Sequence, residues 1–403
     1  MSKERILLFI LAAIMFTHIM DFMIMMPLGP QLMRIFEISP QQFALLVSSY
    51  TITAGITGFI AAFAIDRFDR KNSLLLVYIG FTIGTIACAF APTYAILLIT
   101  RSLAGAFGGV LGALILSMVS DAVPLERRAK GIGMVMASFS LASVFGVPFG
   151  LFLANQFSWH APFLFLGIMA AVISGFVAFF IPSMRSHIAK DGNHKNPWEV
   201  LVAIFGNKNA RLGLSFSFVL MLGHFTIVPF ISPYMVGNVG FSEGELMYIY
   251  LVGGASTIFF SPWVGKMADK HGRLKIFTIF GSLVLIPIIT ITNMPPWPLW
   301  AALIVAAIFF VFANGRMVPS TTMETAIIKP ENRGSYMSIR SSVQQLSSGL
   351  ASFVAGAIII EKPSAFSAEA KALGNYEYVG LIAVFFSLVS LWVARKLKVE
   401  QGA

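Results

Sequence analysis

Runs of roughly 20 apolar residues, long enough for a helix to cross a hydrocarbon core about 30 Å thick, recur along this chain of 403 residues. The chain is 57% hydrophobic and only 11% charged, against roughly 25% charged for an average soluble domain. An ordinary soluble enzyme is therefore excluded. The runs predict an all-α membrane protein with helices over 6–33, 42–65, 73–91, 95–120, 130–153 and 161–182. A second set follows over 212–236, 245–268, 274–293, 298–327, 335–360 and 376–394. The expected units are residues 1–182, a polar linker 183–211, and residues 212–403. Within the linker, Pro197-Trp198-Glu199-Val200-Leu201 opens a short amphipathic helix expected to lie on the membrane surface.

The sharpest interruption of apolarity is Ala62 to Lys71, Ala-Phe-Ala-Ile-Asp-Arg-Phe-Asp-Arg-Lys, directly before Ser73-Leu74-Leu75-Leu76. Half a chain later it returns as Gly265 to Lys275, with Asp269 standing where Asp66 stood. Each half thus carries the same loop between its second and third runs. Two six-helix bundles related as parallel repeats are expected, with a substrate site near the midplane between them.

The two loops resemble the signature of the major facilitator superfamily, Gly-x-x-x-Asp-(Arg/Lys)-x-Gly-Arg-(Lys/Arg), between the second and third spans. Gly265, Asp269, Lys270, Gly272 and Arg273 match it, as do Asp66, Arg67, Arg70 and Lys71 in the first copy. The first copy departs at Ala62 and Asp69, where the family has glycine. Asp tolerates a left-handed turn better than most residues, so the same turn is expected at Asp69. The resemblance implies a twelve-helix transporter with a central cavity, near the drug–proton antiporter and sugar efflux branch. In the fourth span, Arg101 with Gly105 and Gly108 is similar to a motif of the family's proton-coupled members. In the fifth, Gly146-Val147-Pro148-Phe149-Gly150 resembles the antiporters' Gly-Pro-x-x-Gly-Gly, out of register.

Lys and Arg set the orientation. One side collects Lys3, Arg5, both loops, Arg127, Arg128, Lys130, the linker, Lys329, Arg333 and Arg395 to Lys398. The other has little more than Arg34, Lys362 and Lys371. Both termini are expected in the cytoplasm, with the protein in the plasma (inner) membrane. Topology and anionic headgroups account for the net charge of +10 better than nucleic acid does. The single cysteine, Cys88, excludes an internal disulfide and a cysteine metal cluster. The first run is too long for a signal peptide, contains Asp21 and lacks a cleavage site, so it is read as a retained span. Walker, His-Glu-x-x-His and Gly-x-Ser-x-Gly patterns are all missing, so neither ATP hydrolysis nor intramembrane hydrolysis is supported. The expected partners are a small-molecule substrate, protons and the bilayer. A monomer is expected, with no nucleic acid, cofactor or metal.

Ionisable groups at membrane depth cost roughly 2.5–3.5 kcal/mol each on insertion scales and point to function. Asp21 lies midway between Arg5 and Arg34, with His18 one turn earlier on the same side. Burial favours the neutral form of both, pairing favours the charged form, and such a pair can load a proton. The alternative is a pair that only fixes helix packing. His224 repeats the position of Asp21 and is either a site residue or a satisfied core histidine. Arg101 is either a fixed charge tuning a carboxylate or a cation reaching for the outer interface.

Gly105, Gly109 and Gly112 give span four a face for close helix contact. Gly146, Pro148 and Gly150 give span five a kink where the halves could rock. In span ten, Asn314 and Arg316 are placed on the cavity, with Arg316 expected to meet an acid or an anionic substrate. Glu324 has either a proton role or an interfacial one. Gln344 is assigned to the cavity and Arg340 to the interface. Met15, Met20, Met23, Met25 and Met26 in the first span suit a pliable apolar wall or plain bulk.

The loops read as a two-state latch formed by Asp66, Arg67, Arg70 and Lys71 with Gly265, Asp269, Gly272 and Arg273, or as topology anchors. These readings predict a secondary transporter exporting drug-like or lipophilic molecules against protons. The alternatives are a sugar, amino acid or small-metabolite exporter, a metal-ion exporter, and a membrane sensor.

Overall fold

Each apolar run folds as helix because lipid offers no partner to a free backbone N–H or C=O. The computed structural model describes residues 3–64, 67–185, 197–328, 333–366 and 371–397. The first half holds α1 (Lys3–Ile24), α2 (Gly29–Ile35), α3 (Pro40–Ala64), α4 (Arg70–Ala89), α5 (Tyr94–Ala122), α6 (Leu125–Leu141), α7 (Val147–Gln156) and α8 (His160–Phe180). The connecting α9 (Pro197–Gly206) coincides with the expected amphipathic stretch. The second half holds α10 (Lys208–Phe225), α11 (Ile231–Tyr234), α12 (Glu243–His271), α13 (Arg273–Leu283), α14 (Leu285–Thr292), α15 (Leu299–Thr325), α16 (Arg333–Ile358) and α17 (Tyr376–Ala394).

Broken helices make up the difference between these and twelve spans. The first and seventh spans break at corresponding prolines, Pro27 and Pro229, because proline cannot donate to the preceding turn. In the fifth, the break is a π-helical turn, Ala142–Gly146, just before Pro148. Among the described residues, eleven helices are long and apolar enough to cross a bilayer. The twelfth, α16, is long enough but rich in Ser, Gln and Arg. It lies against α3 of the other half and α10 of its own, with side chains too polar for lipid.

Caps place the helix ends. Ser242 and Glu245 form a reciprocal capping box at α12, and Asn207 accepts from Asn209 N and Ala210 N at α10. The all-α expectation meets one exception, an antiparallel hairpin of β1 (Ile360–Pro363) and β2 (Lys371–Gly374). Asn238 docks it as a strand edge would, donating to Leu373 O at 2.9 Å and accepting from Leu373 N at 2.7 Å.

The halves meet unevenly. At the end away from the basic loops one apolar core spans both, joining Ile24, Leu28 and Phe43 to Phe230, Tyr234 and Tyr376. There Arg34 pairs with Glu243 across the halves at 2.5 Å. Nearer the basic end the two halves keep separate cores, only Phe59 leaning on the second. Gly254 brings α12 against the π turn of the fifth span, where a Cβ would stand 2.9 Å from the Ser143 carbonyl. Gly146 and Gly150 instead make room for Met20 and Ile24 of α1.

Candidate functional site

Three helices converge on Asp21, whose side chain is fully buried. Arg101 of α5 donates from Nη1 to its Oδ2 at 2.8 Å and to its backbone carbonyl at 3.3 Å. Thr85 of α4 donates to Oδ1 at 3.2 Å. The guanidinium also lies 4.5 Å from the centroid of the Tyr50 ring of α3, a cation–π contact. Arg101 therefore does not reach for the interface.

The approach of α5 to α3 depends on glycine. A Cβ at Gly105 would sit 2.3 Å from the Tyr50 carbonyl oxygen, and one at Gly109 2.1 Å from that of Ala54. Gly112 was expected in the same contact, but a Cβ there meets nothing within 4 Å.

His18 is not the partner of Asp21. Its Nδ1 is 3.1 Å from the Tyr50 hydroxyl, and its ring packs edge-on against Phe81. Three residues along a helix leave side chains about 60° apart, enough to give the two groups different neighbours. His18 and Asp21 touch opposite ends of one unit, Tyr50 stacked on Arg101.

Between the halves lies a cavity of about 330 Å³, walled by Phe22 and Met23 of α1, by Met26 of the turn that follows it, and by His224, Phe310 and Asn314 of the second half. Of the five methionines expected there, Met15, Met20 and Met25 are buried in helix packing instead. His224 stacks on Phe309, and its Nδ1 is buried without a partner. Asn314 donates to Phe310 O at 3.1 Å.

Arg316, expected to face the cavity and meet an acid or an anionic substrate, stands behind the wall. Its Nη1 donates to Ser387 Oγ of α17 at 2.9 Å, and Nε and Nη2 have no partner. Position 316 lies on the edge of the α15 face that presents Ala313 and Met317 to the cavity, so its side chain turns toward α17. Glu324 is likewise not interfacial. It is fully buried, accepts from Ser217 and pairs with Arg340, which is buried too rather than interfacial. Ser217 of α10 holds both groups inward, donating to Glu324 and accepting from Arg340 Nε at 3.1 Å, so the pair lies between α10, α15 and α16. Gln344 is half-buried on α16 and lines no described cavity.

The loop between α3 and α4 is built on Asp69. It caps α4 by accepting from Lys71 N at 2.8 Å, and it also accepts from Ser183 Oγ, Arg185 Nε and Met184 N. Burial alone would raise its pKa, but these donors outweigh it and hold the carboxyl well below the usual range. Its backbone, at φ −58°, is not the left-handed turn expected, because capping requires an extended residue there. Arg70 pairs with Asp121 of α5 at 3.1 Å, Lys71 donates to Ala178 O at 2.8 Å, and Arg67 is exposed. Asp66 lies outside the described residues. In the second copy Gly272 is left-handed at φ +93°, and Arg273 donates to Thr322 O at 3.3 Å. Asp269 is exposed, and a Cβ at Gly265 meets nothing within 4 Å.

Sequence reasoning missed Tyr50, Thr85, Ser217 and Asp121. The first three are polar groups within long apolar runs, a weak signal that could have been read. Asp121 carries one more, since it and Glu324 stand next to last in α5 and α15.

Comparison with known proteins places this geometry. The sequence profile of the Major Facilitator Superfamily matches twice, over residues 11–221 and 213–402. The uncharacterized MFS-type transporter YceJ of Bacillus subtilis (strain 168) is 25% identical over 356 residues, 88% of each chain. YfhI of the same organism, described in the same words, is 26% identical over 339 residues, 80% of this chain and 79% of its own. Among solved structures, a D-xylose–proton symporter superposes with a TM-score of 0.78 at 16% identity over 99% of each chain. A bacterial homolog of the human lysosomal transporter Spinster, inward-facing and unoccupied, gives 0.75 at 16% identity over 98% of each. Two profile matches that together run from the first helix to the last leave one assignment: the chain belongs to the Major Facilitator Superfamily and is a multi-pass membrane transporter, not an enzyme.

Proposed function

We propose that this transporter exports small lipophilic or drug-like molecules in exchange for protons, by alternating access, from the inner membrane, with both termini in the cytoplasm. The observation that carries the reading is the Asp21–Arg101 pair, buried on both sides and adjacent in sequence to the cavity wall at Phe22 and Met23. A proton on Asp21 cancels its attraction for Arg101, while Arg101 keeps the Tyr50 ring as a partner. The two protonation states thus hold α1 to α5 with different strength, and α1 carries part of the wall. A substrate against Phe22 and Met23 biases the same element, and such shared bias is what coupling requires.

The wall suits an apolar guest. Its aromatic and methionine side chains outnumber its polar groups, and methionine adapts to varied shapes. Arg34–Glu243 acts as the gate at the closed end, and the Asp69 and Arg70 contacts hold the basic end of the first half rigid while the halves rock. Efflux of a sugar, amino acid or other small metabolite is the second reading, favoured by the polar edge at His224 and Asn314. The test is dye accumulation in inside-out vesicles under an imposed proton gradient. Asp21→Asn is expected to abolish gradient-driven accumulation, and undiminished accumulation would count against the proposal.

A further inference from the structure

The second half contains a cation that no side chain neutralises. Arg316 is 1% exposed. Its one hydrogen bond goes to a neutral hydroxyl, and two of its nitrogens are buried without partners. Arg70, Arg101 and Arg340, the other arginines buried in the helices, each pair with a carboxylate. Among the described residues no Asp or Glu does this for Arg316. A buried charge without a counter-charge is among the most costly arrangements a protein keeps. An apolar side chain would serve packing better, so packing does not explain its presence.

Its position does. Arg316 precedes Met317 and follows Ala313 by one turn, and both line the cavity. His224 lines the cavity as well. His224 Nδ1 is a third buried polar atom without a partner in this corner. One edge of an otherwise apolar cavity is therefore positive and short of acceptors, while the opposite wall is Phe22 and Met23. What completes such an edge is a negatively charged head on an apolar body.

We infer that His224 and Arg316 form an anion subsite, and that the cavity takes amphipathic molecules with a single carboxylate-like head. The apolar body packs on Phe22, Met23 and Phe310, and the head lies against His224 with Arg316 behind it. With such a guest in place, every buried arginine in the helices has an anionic partner. The inference rests on the cavity being the substrate site, but not on proton coupling.

The test is binding to the purified protein, read by thermal stabilisation with octanoate, octanol and octylamine, which share a chain and differ in the head. Octanoate is expected to bind most tightly and octylamine no better than octanol. Arg316→Gln is expected to weaken octanoate by about tenfold or more, the scale of a lost charge–charge attraction of about 1.4 kcal/mol across a partly dry gap, and to leave octanol unchanged. If that variant does not fold, Arg316→Lys should keep the preference for octanoate and His224→Gln should reduce it. Equal binding of octanoate and octanol, or an unaltered preference in Arg316→Gln, overturns the subsite. Asp21→Asn is expected, by linkage, to shift the affinity for octanoate and octanol alike and to keep the preference between them. Lost flux with a retained preference therefore concerns coupling, and lost head-group preference with intact flux concerns the subsite alone.

Discussion

Where the first half places Asp21, the second places His224, and the helix pairs beside them have exchanged their bulk. In the first half Tyr50 of α3 faces Gly105 and Gly108 of α5. In the second, Gly253 of α12 stands where Tyr50 stood, and a Cβ on it would be 2.4 Å from the Phe310 ring of α15. The first arrangement puts a tyrosine between His18 and Arg101 and closes an ion pair in the interior. The second sends a phenylalanine to the cavity and leaves Arg316 without a counter-charge. The ion pair of the second half sits instead at the end of α15, as Glu324–Arg340. Two copies of one architecture thus differ in their buried charges. One neutralises its own arginine with Asp21, and the other keeps Arg316 with a serine hydroxyl as its hydrogen-bond partner.

Removing one arginine of each kind tests that division most strongly. Arg340→Ala strands Glu324 without its cation in a dry site, and breaking a buried pair in this way costs about 3–5 kcal/mol. Arg316→Leu removes a charge that has no counter-charge, so stability is expected to stay within about 1 kcal/mol of the original or to rise. Unfolding of both variants in detergent provides the check. If Arg316→Leu is as damaging as Arg340→Ala, Arg316 is not an uncompensated cation and the contrast between the halves fails.

The contrast was only half legible in the sequence. Apolar runs and the repeated loop gave the helices and their pairing into halves, because both signals are local. Partnership is not. Asp21 and Arg101 are brought together by how α1 rotates against α5, whereas His18, near in sequence, found Tyr50 instead. Arg316 stood out as a costly residue, but which face of α15 it occupied depended on α17. The helix α16 was visible from its length, while its unusual polarity makes sense only beside α3. Asp69, read as a substitute for glycine, caps α4 through Lys71 N and Asn72 N and is also held by Ser183 and Arg185, which the local sequence does not show.

The glycines sharpen the comparison at intermediate energy. Gly109→Ala drives a methyl group into the Ala54 carbonyl, which the α3 backbone cannot move aside. A loss of about 1–3 kcal/mol is expected, as for overpacking elsewhere. Gly112→Ala, on the same helix with nothing within 4 Å, should be neutral or stabilising by up to about 1 kcal/mol from helix propensity. The matching positions of Gly105 and Gly109 in the second half are Ile308 and Phe312, so the close approach at these two positions is confined to the first half. Thermal unfolding of the two alanine variants separates a true close approach from a run of small residues.

The smallest effect lies in the two loops. Asp69→Asn keeps an oxygen for capping and removes a negative charge from the donors of Ser183 and Arg185. Arg185 is 70% exposed, so solvent screens most of that attraction and a loss below about 1 kcal/mol is expected. The sign of its pH dependence follows from the depressed pKa. The charge contributes stability above the unfolded carboxyl pKa of about 3.9, and that contribution disappears only as the pH falls through the lower folded value. The gap between Asp69→Asn and the unmodified protein should therefore be constant from neutral pH down to about pH 5 and close in stronger acid. In the second copy the same place is taken by a left-handed glycine without a side chain, so no comparable titration arises there. A gap that widens in acid would show that Asp69 acts through something other than its charge, and the two loops would then differ in backbone shape alone.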